Sequence, residues 1–185
     1  MVKVTLKDDV VKEFQSGTTV MDIAKSIGMG LYKAACLAKI DGETCDLRTP
    51  VTKDCHVEIL TFDDEDGKKA FWHTTSHILA QAVKRLYPSA KLAIGPSIAN
   101  GFYYDFDMAP LTREDLDAIE KEMKKIAKDG KRIVRHEISK KEALEMFKND
   151  PYKIDLISRM DENEQVISCY TQGDFTDLCR GPHLD

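Results

Sequence analysis

The sequence predicts an α+β protein in two parts, on three observations. Residues 2–62 carry short alternating apolar runs around one helical segment. A charged stretch with no apolar residue follows, Asp63-Asp64-Glu65-Asp66-Gly67-Lys68-Lys69. Beyond it, helical and extended patterns alternate without the strand–helix–strand regularity of a doubly wound sheet. The expected bounds are 1–62 for a first domain, 63–70 for a linker and 71–185 for a second domain.

In the first part, Val2-Lys3-Val4-Thr5-Leu6 alternates, Lys7-Asp8-Asp9 turns the chain, and Val10 to Phe14 returns as a second strand. Thr19, with Asp22 three residues on, opens a helix whose apolar face is Val20, Ile23, Ala24 and Ile27. Gly28 suits the position just past its end. Ala35 to Ile40 is a strand before the Asp41-Gly42 turn, and His56 to Leu60 closes the part, with His56 at an exposed polar position. The order β-β-α-β-β is that of a small β-grasp (ubiquitin-like) sheet crossed by one helix.

In the second part, Ile78, Leu79, Ala82, Val83 and Leu86 share one face at about 100° per residue, and Pro88 ends that helix. His73, His77, Ala80 and Lys84 fall on the other side, lining a pocket or simply facing solvent. Lys91 to Ile94 is a short strand, and Asn100-Gly101 marks a hairpin. Phe102, Tyr104 and Phe106 alternate with Tyr103, Asp105 and Asp107, as in a half-buried strand. Thr112 and Asp115 open a helix with the seam Leu116, Ile119, Met123 and Ile126, stopped by Gly130. A strand over 132–138, a shorter helix from Ser139 to about Asn149, and a strand over 165–171 follow. Gln172-Gly173 then turns the chain into Asp177-Leu178-Cys179-Arg180-Gly181-Pro182-His183.

At 185 residues, 42% apolar and 32% charged, the chain is globular in composition. No run is long enough to span a membrane, and the start lacks the apolar stretch of a signal peptide. Five cysteines without a Cys-x-x-Cys pair fit reduced thiols and a cytoplasmic setting. The net charge of −5 weighs against a general nucleic-acid binder. Between Ile119 and Lys141 nine Lys or Arg face four acids, and this run is expected to be a solvated face.

Two histidines four apart, with a cysteine and a histidine four apart, have the types and number of a zinc site. The same groups hold an attacking water equally well. A neutral histidine takes its proton, a lysine steadies the developing oxyanion, and an aspartate orients its neighbours. Spacing leaves both uses open.

His73-x-x-x-His77, Gly95-Pro96, Asn100 to Asp105 and Asp177 to His183 resemble the editing domain of bacterial threonyl-tRNA synthetases. Residues 1–62 resemble the small TGS domain that precedes it, so the resemblance covers the whole chain in order. It implies an editing domain of the threonyl/alanyl type that hydrolyses mischarged seryl-tRNA(Thr) at the tRNA acceptor end. His73 is then the base or water-orienting residue, Lys153 the site lysine, and Asp177 and Cys179 complete the catalytic set. His77, Tyr104, Gly95 and His183 bind substrate, and Cys179 is expected as a wall or hydrogen-bond partner, not a nucleophile.

The resemblance also implies that no metal is needed here. A zinc site of His73, His77, Cys179 and His183, as in the related alanyl domains, ranks second. The ATP site, the zinc and the dimer contacts of such synthetases belong to a catalytic core whose motifs do not occur in this sequence. The fragment is accordingly expected to be monomeric, to lack part of the editing domain, and to edit slowly. The alternatives are an RNA-binding module without turnover and a zinc-dependent aminoacyl-tRNA hydrolase.

Overall fold

The structure, a computed structural model, describes residues 1–160 and 166–184. Gln165, expected to open a strand, lies outside them. The chain forms two compact units, residues 1–74 with the tail from Pro182, and residues 75–181.

The first unit contains β1 (Val2–Leu6), β2 (Val11–Phe14), β3 (Thr18–Thr19), α1 (Val20–Ile27), α2 (Met29–Ala34), β4 (Ala35–Ile40), β5 (Glu43–Cys45), β6 (Pro50–Val51) and β7 (Cys55–Thr61). Five strands form one sheet in the order β2-β1-β7-β4-β5, with β1 and β7 parallel at its centre. That is the expected β-grasp topology, with α1 supplying the core residues Val20 and Ile23 beneath Val4 and Val57. The Thr19 hydroxyl accepts from the Asp22 amide at 3.2 Å, which satisfies a donor that the first turn of α1 leaves open. Asp41 and Gly42 both take positive φ (50° and 85°), the requirement of the two-residue turn between β4 and β5. The short helix α2 was not expected.

The charged stretch 63–70, expected as a linker, instead opens α3 (Glu65–Leu86), one helix of 22 residues. Acids in its first turn and Lys84 and Arg85 in its last complement the helix dipole. Asp64 ties the start to β7, its carboxylate accepting from the Thr61 amide at 2.7 Å. Gly67 fixes the approach, because a Cβ there would lie 2.0 Å from the Thr61 carbonyl oxygen. Alanine gains up to about 1 kcal/mol of helix propensity over glycine, whereas overpacking against fixed backbone costs about 1–3 kcal/mol. Gly67→Ala is therefore expected to lower stability, measured as a fall in the urea midpoint at unchanged slope.

The second unit continues α3 into β8 (Lys91–Leu92), β9 (Ser97–Ile98), β10 (Gly101–Phe102), β11 (Phe106–Asp107), α4 (Arg113–Asp129), β12 (Ile133–Ser139), α5 (Lys140–Met146), α6 (Pro151–Ser158), β13 (Val166–Gln172) and β14 (Phe175–Leu178). β12, β13 and β14 form an antiparallel sheet, and β8–β11 and β9–β10 form two small ribbons. The expected capping box of Thr112 with Asp115 is made on α4, and Ser139 with Glu142 makes another at the start of α5.

Four local expectations are corrected. Residues 102–106 are not one strand, although burial still alternates through Tyr103, Tyr104 and Asp105. The hairpin near Asn100 pairs Ile98 with Gly101, so its loop is Ala99-Asn100 and only Gly101 takes positive φ. Leu116 is half exposed, and the α4 seam begins at Ile119. Helix α6 was missed altogether. Its markers stand in the sequence: Asp150, whose carboxylate accepts from the Tyr152 amide, and Pro151 in the first turn. Among the described residues no helix is long and apolar enough to cross a membrane.

Candidate functional site

Helix α3 places His73 and His77 one turn apart. In the second unit it packs on two sides. Ile78, Leu79, Ala82 and Val83 meet the Ile119–Ile126 side of α4, while Ala80 packs with Leu92, Tyr104 and Phe175. The side expected to be polar is thus largely covered, and His77 is not on a solvated face.

Strand β14 brings Asp177 to His77, with Nδ1 3.5 Å from Oδ2, an ion pair whenever the imidazole is protonated. Helix α6 brings Lys153 to the same carboxylate, Nζ at 2.6 Å from Oδ1. The Tyr104 hydroxyl donates to Asp177 Oδ2 at 2.7 Å and accepts from Lys153 Nζ at 3.2 Å. The Leu178 amide donates to Asp177 Oδ1 at 2.8 Å. Asp177, Lys153 and Tyr104 are all buried, at 1%, 3% and 8% exposure. Burial first, and the Asp177 charge second, push the Tyr104 phenol far above its ordinary range, so it keeps its proton.

Gly95 makes room for this arrangement. A Cβ there would fall 2.0 Å from Tyr104 Cδ2. The Gly95 carbonyl accepts from the buried Ser76 hydroxyl at 2.8 Å, and the Tyr104 ring stacks on Phe106 with centroids 4.9 Å apart. Tyr104 is therefore both core and site residue. Cys179 follows two residues after Asp177, and its sulfur accepts from the Gly181 amide at 3.1 Å. Gly181 takes φ of 73°, and a Cβ there would meet the Tyr170 hydroxyl at 2.0 Å.

In the first unit His73 stacks on His183, ring centroids 4.4 Å apart. His183 is buried, its Nδ1 is 2.9 Å from the Thr74 hydroxyl, and its amide donates to Asp46 at 3.1 Å. The Leu184 amide donates to the same Thr74 hydroxyl. Sequence reasoning missed Thr74, Ser76 and Asp46, since nothing in their spacing marks them as supports of a histidine or a glycine loop.

His73 and His183 in the first unit, and His77 and Cys179 in the second, are of the residue types that bind zinc. Among the described residues the five cysteines form no disulfide, and burial pushes the Cys169 and Cys36 thiols up. The basic run over α4 and β12 is exposed, with Lys124 paired to Glu120 and Lys125 to Glu122, as a solvated face should be.

Residues 2–61 match the TGS domain family. Over its whole length the chain is 53% identical to the threonine–tRNA ligase of Acetivibrio thermocellus, 54% to that of Clostridioides difficile and 56% to that of Clostridium tetani. It spans about 29% of the length of each of these curated relatives.

Proposed function

The chain is homologous throughout to the N-terminal region of threonine–tRNA ligases, and from that premise we propose that it hydrolyses the ester of mischarged seryl-tRNA(Thr). Serine and threonine differ by one methyl. Such a difference is worth ~1–3 kcal/mol, roughly 10–200-fold, a general limit for which aminoacyl-tRNA synthetases are themselves the reference case. A second, hydrolytic site supplies the missing discrimination.

One observation carries the reading: an ammonium, a carboxylate and a phenol buried together beside His77. Buried ion pairs contribute little net stability, so their presence in a small domain points to chemistry. The roles are those the resemblance implies, and the charges are consistent with them. His73 takes a proton from water as the water oxygen bonds to the seryl carbonyl carbon. Lys153 steadies the negative oxygen that forms, and Asp177 and Tyr104 hold the ammonium in place. The ribose oxygen of the tRNA leaves with a proton, giving serine and tRNA. His77, Gly95 and His183 are assigned to binding of the seryl group, and Cys179 to a wall or hydrogen-bond partner. Partner and substrate are thus the acceptor end of tRNA(Thr). Ligation of threonine, with its ATP and zinc, falls in this reading to parts of the relatives that the chain does not match.

A zinc-dependent hydrolase is the second reading. It is favoured by Thr74, which engages His183 Nδ1 as outer-sphere partners of metal-bound histidines do. Single-turnover hydrolysis of seryl-tRNA(Thr) separates the two. The expected result is a loss of about 10²-fold or more in His73→Ala, with the wild-type rate unchanged by a chelator. Stoichiometric zinc by elemental analysis, with activity abolished on chelation, would install the second reading. RNA binding with no turnover above background would remove both.

A further inference from the structure

We infer that Gln81 is a positioning residue, tethering the β13–β14 hairpin to α3 so that Asp177 is held against Lys153 and His77; its bearing on turnover rests on the proofreading reading above. His77, Gln81 and Arg85 stand four residues apart on α3, along one stripe that drifts about 40° per step. Each meets the same hairpin. His77 faces Asp177 on β14 at 3.5 Å. Gln81 Nε2 donates to the carbonyl of Gln172, the last residue of β13, at 3.1 Å. Arg85 Nη2 donates to Asp174 in the turn at 3.2 Å, and its Nη1 to Glu122 on α4.

The three rungs are not equivalent. Asp174 is largely exposed, so the Arg85 rung is weak. Gln81 is fully buried, and among the described residues its Oε1 has no hydrogen-bond partner. A buried acceptor left unsatisfied disfavours folding, and an apolar side chain of equal volume would avoid that penalty. What the amide adds is one bond to the hairpin, at the residue where its register is set. Gln172 pairs with Phe175, and two pairs further along Tyr170 opposes Asp177. Strand side chains alternate, so a slip of one residue at the turn would rotate Asp177 to the opposite face. Fixing the Gln172 carbonyl on α3 therefore fixes which way Asp177 points.

The test uses the full chain and Gln81→Met, which keeps volume and removes the amide. The first readout is the Lys153 ammonium resonance in protein labelled with 15N-lysine. Its protons should exchange slowly in the wild type and about 10-fold or more faster in the variant. The second is single-turnover hydrolysis of seryl-tRNA(Thr). The rate constant should fall about 10–100-fold, with the half-saturating concentration unchanged, because a small misplacement of a catalytic group has effects of that order. Arg85→Gln, which removes the rung to the exposed Asp174, should shift both readouts in the same direction by about 2–5-fold, and it decides the matter if Gln81→Met does not fold. An unchanged Lys153 signal, with or without a lower melting temperature, assigns Gln81 a packing role and overturns the inference. A faster-exchanging signal with an unchanged rate overturns its bearing on catalysis. A wild type that does not hydrolyse seryl-tRNA at all removes the proofreading reading alone, since the ammonium signal still reports the tether.

Discussion

Lys153→Met is expected to destabilise the second unit by about 3–5 kcal/mol, because it leaves the Asp177 carboxylate buried without its cation. The lower half of that range is favoured. Asp177 keeps the Tyr104 hydroxyl and the Leu178 amide as donors, and these hold part of its charge. Replacing both partners tests the assignment. Lys153→Met combined with Asp177→Leu removes the uncompensated charge and should recover most of the loss, a coupling visible only when both single variants are measured beside the double one. Hydrolysis should be abolished in all three, since each lacks the ammonium, the carboxylate or both. Urea unfolding of the four proteins decides it. Additive single and double effects would mean that the buried contact is not the pair the geometry describes. The pH profile adds an independent arm. The Tyr104 phenol is held far above its ordinary range, chiefly by burial, so its proton is retained wherever the chain stays folded. Activity through the alkaline range should therefore show no break from Tyr104.

How much of this was legible in the sequence depended on whether a residue's role is local. The capping box at Thr112, the helix start at Ser139 and the Asp41-Gly42 turn are set by neighbours within four residues, and each was readable. Two long-range meetings were also foreseen, the C-terminal His183 with His73 and Asp177 with His77. They came from residue types that carry chemistry, and from family resemblance, not from periodicity. Lys153 shows the limit. By pattern it is a surface lysine, and it sits on α6, a helix that was missed. Its burial follows from partners 49 residues before it and 24 after it in the chain, Tyr104 and Asp177. Periodicity also misplaced Ala80, because α3 is covered from two directions and a single apolar stripe cannot register the second. The linker was misread for a related reason. Charged residues with one glycine look like a tether, yet Gly67 is there because α3 passes too close to Thr61 for any side chain.

Gly95→Ala is expected to damage both stability and turnover through a single added methyl. Gly95 does not take positive φ, so alanine's backbone preferences are satisfied and only space is at issue. The new Cβ would lie 2.0, 2.6 and 2.7 Å from three carbons of the Tyr104 ring. That ring cannot retreat easily. Phe106 stacks on it, and its hydroxyl is held by Asp177 and Lys153. Gly95 cannot retreat either, since its carbonyl is held by the buried Ser76 hydroxyl. Overpacking of this kind typically costs about 1–3 kcal/mol, and the rigid surroundings place it at the upper end. Any ring movement that relieves the clash also draws the hydroxyl away from the buried pair, so hydrolysis should fall more steeply than stability. Tyr104→Leu added to Gly95→Ala should restore stability by shrinking the obstacle while leaving turnover low. Equal urea midpoints for wild type and Gly95→Ala would show that the glycine loop yields, and that Tyr104 is not held as tightly as its three partners require.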